Sequence, residues 1–173
     1  YAQTAPWPLT PLFGTGQIDG WFSFHAVDAQ ALQQILPDGM TLHPQALTPA
    51  GTHPVAILAN QQIGVRMSIL PRLLGYRGYF EAIIAVNYVQ VEGHPGIFSY
   101  LPNLYLTNRG AQLAGVWCYG YNKRMGKLAM GNSDYAVATP DGAPIWSARY
   151  QQQGFARPLG DSPDMGLVQS ICD

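Results

Sequence analysis

Residues 78–93, GYFEAIIAVNYVQVEG, are apolar on both alternations of an extended chain. Successive side chains of a strand point to opposite faces of its sheet, so a strand that reads this way is buried on both. Such a strand needs a sheet that is covered on both sides or curved back on itself. The longest apolar run inside it, AIIAV at 82–86, has strand length and falls far short of the roughly 20 residues that cross a bilayer as a helix.

The rest of the chain supplies strands, two short helices and turns. WFSFHAV after Gly20, PVAILANQQIGV and GIFSYLPNLYLT read as strands. DAQALQQILPDGM reads as a short amphipathic helix with Asp28 as N-cap, a stripe of Ala31, Leu32, Ile35 and Leu36, and Pro37 as its stop. NRGAQLAGVWCYG after Thr107 reads as a second helix, weakened by its glycines. SDYAVATPDGAPIWSARYQQQ has the form of a hairpin, in which Pro140 presets the turn and Gly142 permits positive φ. The opening TAPWPLTPLF, with three prolines, is expected to be an extended arm lying on the surface or on a neighbouring subunit. Neither a repeat nor a low-complexity segment nor a linker divides residues 1–173. The expected fold is one β-rich α+β domain whose predominantly antiparallel strands form a curved or closed, barrel-like sheet with two short helices.

Composition narrows the function classes. A hydrophobic fraction of 47% excludes a disordered chain. Only 11% of residues are charged, against roughly 25% in an average soluble domain, so much of the surface is expected to be covered by another subunit or neutral polar, which favours a homo-oligomer. A net charge of −1, with no basic run longer than Lys-Arg, offers no handle for nucleic acid or anionic lipid. His25, His43, His53 and His94 lack HExxH or comparable spacing, and Cys118 and Cys172 lack a CxxC partner, so no metal and no cofactor is expected. The two cysteines suit one disulfide or two free thiols. There is no GxSxG elbow, and GTG at 14–16 lacks the strand–glycine–helix context of a nucleotide fingerprint. The chain begins at Tyr1, consistent with removal of a targeting segment or tag, and the compartment stays open between cytoplasmic and exported.

Both lysines of the chain lie in YGYNKRMGKLAM (119–130), with Arg124 directly after Lys123. The plain reading is an exposed basic turn. The chemical reading starts from the fact that a buried amine beside another positive charge loses its proton more easily, since desolvation and like-charge repulsion both disfavour the ammonium form; it is then nucleophilic near neutral pH. Glu81, inside the apolar strand, needs a partner or a proton, because an unpaired buried carboxylate is costly. Glu92, in VEGHPG, reads as an ordinary turn residue.

GVWCYGYNKRMG (115–126) resembles the signature of the acetoacetate decarboxylase-like family, in register at Gly115, Lys123, Met125 and Gly126. YFEA, which carries Glu81, resembles the family's active-site segment ahead of the lysine, and FSFHAVDAQALQQILPDGMTL is similar to its strand, helix and LP turn. The resemblance covers about residues 18–135 and implies a cofactor-free lyase. In it Lys123 is the Schiff-base nucleophile, Glu81 orients substrate or shuttles a proton, and Arg124 stands in the place of the family's second lysine. The implied substrate is a small carbonyl compound, a keto acid or ketone, with decarboxylation or related aldol or dehydration chemistry. Tyr79, Tyr119 and Tyr121 are then candidates to line the pocket, or else core aromatics. The sequence departs from the signature at Val116-Trp117, in place of Arg-Glu, and at Asn122, in place of proline. Ile18-Asp19 falls where the family has a carboxylate-binding arginine, so Arg66, Arg72 or Arg77 is the candidate substitute. The chain also ends sooner after Lys123 than the family's chains do, which suggests a cleaved or truncated polypeptide whose fold a second segment completes. A non-catalytic binding protein that keeps the fold, with Lys123 merely paired to Glu81, is the alternative.

Overall fold

Burial on both faces is what the structure, a computed structural model describing residues 14–67 and 77–151, gives the 78–91 strand. Tyr79, Glu81, Ala85, Asn87 and Val89 are buried on one alternation and Ala82 and Val86 on the other. In chain order the described elements are β1 (Gly14–Asp28), α1 (Ala29–Ile35), β2 (Met40–Leu42), β3 (Thr52–Met67), β4 (Gly78–Val91), β5 (His94–Leu106), α2 (Arg109–Tyr119), β6 (Lys123–Met125), β7 (Lys127–Met130), β8 (Asp134–Ala138) and β9 (Pro144–Arg149). One sheet runs β1-β3-β4-β5-β6, with β2 also paired to β4, and a second runs β7-β8-β9. The described residues are thus mostly strand with two short helices, as expected; the proline-rich opening, Arg72 and Cys172 lie outside them.

Contacts divide the chain into two interleaved units, each drawn from three segments, so no linker in the sequence marks them. In one, which includes 22–57 and 84–102, the core is Leu32, Val55, Val86 and Val89, with Leu36, Leu42 and Tyr100 packed against it. Asp28 caps α1 as expected, its Oδ1 accepting from the Ala31 N–H at 2.8 Å. The predicted stripe is narrower than its spacing suggested. Leu32 is buried and Leu36 half-buried, whereas Ala31 is exposed and Ile35 is 56% exposed. A seven-residue helix has about two turns and meets the core along a single i, i+4 line. In the same unit the ring of buried His53 holds the Asn87 carbonyl at 2.6 Å, next to Tyr88, whose φ is 53°.

The other unit includes 14–21, 58–83 and 103–149. Its core holds Tyr79, Leu106 and Ala111, with Val65 packed on them. Hairpin β8–β9 forms as the turn chemistry predicts: Gly142 has φ 100°, and the Thr139 N–H bonds the Ala143 carbonyl at 2.9 Å. Tyr135 stacks on Trp146 at 5.5 Å between centroids. β6 runs parallel to β5, pairing Leu104 with Lys123. Parallel neighbours need a crossover, and α2 supplies it, starting at Asn108, whose Oδ1 accepts from Ala111 at 2.9 Å. The crossover returns the chain to the sheet at Lys123.

Candidate active site

Three pieces of local chemistry deliver Lys123. α2 ends at Gly120, in the left-handed conformation that glycine tolerates (φ 69°), with its N–H on the Val116 carbonyl at 3.1 Å and the Tyr121 N–H on Gly115 at 3.2 Å. The Lys123 N–H then bonds the Tyr121 carbonyl at 2.8 Å, and the Leu104 N–H bonds Asn122 at 3.1 Å, which docks β6 on β5. Gln112, back on α2, donates to the Lys123 carbonyl at 3.2 Å. Lys123 is thereby set by backbone bonds at both ends of a short strand rather than lying in an exposed turn.

Glu81 comes from β4, and Lys123 from β6, on either side of β5. Two strand spacings amount to about 10 Å, so only long side chains bridge them. Lys123 Nζ reaches Glu81 Oε1 at 2.8 Å, with the two side chains 11% and 5% exposed. The lysine stem crosses α2 at Gly115, where a Cβ would stand 2.5 Å from Lys123 Cε and 3.2 Å from Nζ. Glycine at this helical position is what lets the amine pass. The ammonium also lies 5.9 Å from the centroid of the Tyr121 ring. Glu81 is held from two further directions: Gln62 Nε2 donates to its Oε2 at 3.2 Å, and the buried Tyr135 hydroxyl donates to its carbonyl at 3.1 Å.

The structure therefore brings together Lys123, Glu81 and Tyr121. Arg124 goes elsewhere: β6 alternates, its side chain is exposed, and its Nε bonds Asn122 Oδ1 at 3.5 Å. Tyr79 is buried among Leu106, Ala111 and Val65, the core role open to it from the start. Arg66 is half-buried near the end of β3, Arg77 is exposed just before β4, and the side chain of Tyr119 lies outside the described residues. Gln62, Asn60, Gln112 and Tyr135 escaped the sequence reading. For the first two a signal was present, the amide run Asn60-Gln61-Gln62 inside a strand, whose first and third members share a face. Among the described residues no group of three or more His, Cys, Asp or Glu side chains could hold a metal ion. A lysine and a carboxylate in direct contact and largely out of water can exchange a proton and so expose a neutral amine to a carbonyl carbon.

No protein-family model matches the chain, and no curated protein matches it in sequence. Solved structures match its fold. Acetoacetate decarboxylase from Legionella pneumophila superposes with a TM-score of 0.57 at 19% identity, covering 98% of this chain and 61% of that one. MppR, an enduracididine biosynthesis enzyme, solved with the condensation product of pyruvate and imidazole 4-carboxaldehyde, gives 0.56 at 17% identity, with 86% and 59% covered. The same enzyme in complex with pyruvate gives 0.55 at 18%, with 86% and 60% covered. The chain has the acetoacetate decarboxylase-like fold, and it spans about three fifths of the length of these structures.

Proposed function

We propose that the chain works as a cofactor-free Schiff-base lysine enzyme on a small keto acid or ketone. The observation that carries this reading is the 2.8 Å contact between Lys123 Nζ and Glu81 Oε1, largely out of water. Glu81 takes a proton from the ammonium, and the neutral amine adds to the carbonyl carbon. Glu81 returns the proton to the hydroxyl of the carbinolamine, water leaves, and a protonated imine remains. For a β-keto acid, the electrons of the bond to the carboxylate move into the imine, carbon dioxide departs, and the enamine takes up a proton before hydrolysis frees Lys123. The same enamine supports aldol or dehydration chemistry. In this reading Tyr121 faces the reacting nitrogen, Arg124 contributes a fixed positive charge from the far side of β6, and Arg66 is the candidate for the substrate carboxylate. MppR lends support to a keto-acid substrate, since it has been solved with pyruvate on the same fold. The low charge content supports a homo-oligomer.

One observation favours a second reading. Lys123 is already paired with Glu81, and Arg124 stands on the opposite alternation, as suits a binding protein in which the pair is only an ion pair. Borohydride trapping separates the two. The protein is incubated with acetoacetate, pyruvate and a panel of ketones, reduced, and mapped by peptide mass spectrometry. The enzyme reading expects a reduced adduct on Lys123 that disappears in Lys123→Ala. Absence of any adduct under conditions that trap a known Schiff-base enzyme would replace it with the binding-protein reading.

A further inference from the structure

A carboxylate that serves an amine has two oxygens, and only the one facing the amine is useful. On Glu81 that is Oε1, 2.8 Å from Lys123 Nζ. The other, Oε2, is occupied by Gln62 Nε2 at 3.2 Å, and the same Nε2 donates to Asn60 Oδ1 at 2.9 Å. An amide nitrogen has two hydrogens, and here both are used, one on each acceptor. Asn60 and Gln62 lie two residues apart on β3, the neighbour of β4, so alternation places them on one face. Asn60 is 1% exposed, and among the described residues its Nδ2 has no hydrogen-bond partner. Its backbone is pinned by Gly20 of β1, where a Cβ would fall 2.5 Å from Asn60 Cα and 2.7 Å from its Cβ.

The polarity of this chain of bonds follows from its far end. An ionised carboxylate only accepts, so Gln62 must turn its NH₂ group, not its carbonyl, towards Glu81; the NH₂ group then demands an acceptor from Asn60, whose own NH₂ is left over. The unpartnered Nδ2 is thus the cost of serving Glu81. The arrangement also resists reversal. Turning Gln62 alone would set its oxygen against two acceptors, Asn60 Oδ1 and Glu81 Oε2.

We propose that Gln62, oriented by Asn60, is a positioning residue that reserves Glu81 Oε1 for proton exchange with Lys123. A proton on Oε2 would confront the Gln62 N–H, so the proton Glu81 takes from the ammonium stays on Oε1, beside the amine and the carbinolamine hydroxyl that must receive it. Oε2 becomes the carbonyl oxygen of the neutral acid and keeps the Gln62 bond, so nothing need reorient between the two protonation states. The inference rests on the Schiff-base reading of the site.

The test measures the rate of borohydride-trapped imine formation against keto-acid concentration in the wild-type protein, Gln62→Met and Asn60→Leu. Gln62→Met keeps the length of a half-exposed side chain and removes the donor; Asn60→Leu removes the acceptor that orients it, and thermal melts identify the variants that remain folded. The expected result is a fall of about 10-fold or more in the saturating rate of Gln62→Met, short of the roughly 100-fold or more that loss of the general acid–base group itself would bring because Glu81 is retained, with the half-saturating concentration unchanged. Asn60→Leu, where folded, moves the same way by less. A folded Gln62→Met that traps at the wild-type saturating rate overturns the inference and leaves the Schiff-base reading standing. A wild-type protein that is not trapped at Lys123 overturns both.

Discussion

Replacing Gly115 with alanine sets two effects of known size against each other. Gly115 is in the interior of α2, where alanine is favoured over glycine by about 1 kcal/mol. The new methyl group, however, occupies the path of the Lys123 stem, 2.5 Å from Cε. Contact that close cannot stand, and the flexible lysine is what moves. Once it leaves, Glu81 is a buried carboxylate without its cation, a change that costs about 3–5 kcal/mol where one partner of a buried pair is removed. The loss wins, and the net expectation for Gly115→Ala is about 2–4 kcal/mol of destabilisation, towards the lower end because Gln62 still donates to Glu81. In a Lys123→Ala background there is no stem to displace, and the same substitution should stabilise by up to about 1 kcal/mol. The sign therefore reverses between backgrounds, and urea midpoints of the four proteins at constant m-value read the coupling directly. Alanine that stabilises both backgrounds equally would refute the packing of Lys123 over Gly115 and, with it, the claim that glycine is there to let the amine through.

Tyr135→Phe removes a buried hydroxyl donor from the Glu81 carbonyl and should cost about 0.5–1.5 kcal/mol in denaturant unfolding, the net worth of a typical hydrogen bond. Burial pushes the Tyr150 phenol up. The unfolded chain then ionises first as pH rises, so this contribution to stability is complete below about pH 10 and declines above it; Tyr150→Phe should flatten the alkaline limb of a melting-temperature profile. In the β8–β9 turn, the Thr139 hydrogen bond holds the Asp141 carboxyl below the usual carboxylate range, helped by its own backbone N–H and by the charge of Lys127. Its small contribution is present above the unfolded value and lost as pH falls through the folded one, and Thr139→Ala should move the Asp141 titration upward by NMR.

Much of the architecture was legible residue by residue. The double apolar alternation of 78–91 located the strand buried on both faces, and the one carboxylate inside it, Glu81, announced that a partner had to exist. Asp28 and the TPDGA turn were readable because a cap and a turn are satisfied within a few residues. Legibility declined with distance along the chain. The α1 stripe failed at Ile35 because a two-turn helix meets its core through one line of contacts, which spacing alone does not reveal. Arg124 followed Lys123 in sequence but not in space, since adjacent residues of a strand face opposite ways and nothing local marked 123–125 as a strand.

The sequence by itself determined the inventory: a lysine-poor chain with one carboxylate in its most apolar strand, a glycine-rich helix ahead of one lysine, and two amides set two residues apart. Only the tertiary structure decided who meets whom. Lys123 reaches Glu81 across β5 because α2 carries the chain back into a parallel pairing, and Gln62 reaches the other oxygen because β3 is the neighbour of β4. Periodicity specifies which face a residue takes within its own strand; strand order and register are settled by burial summed over the whole sheet, and that sum has no counterpart in any short stretch of sequence.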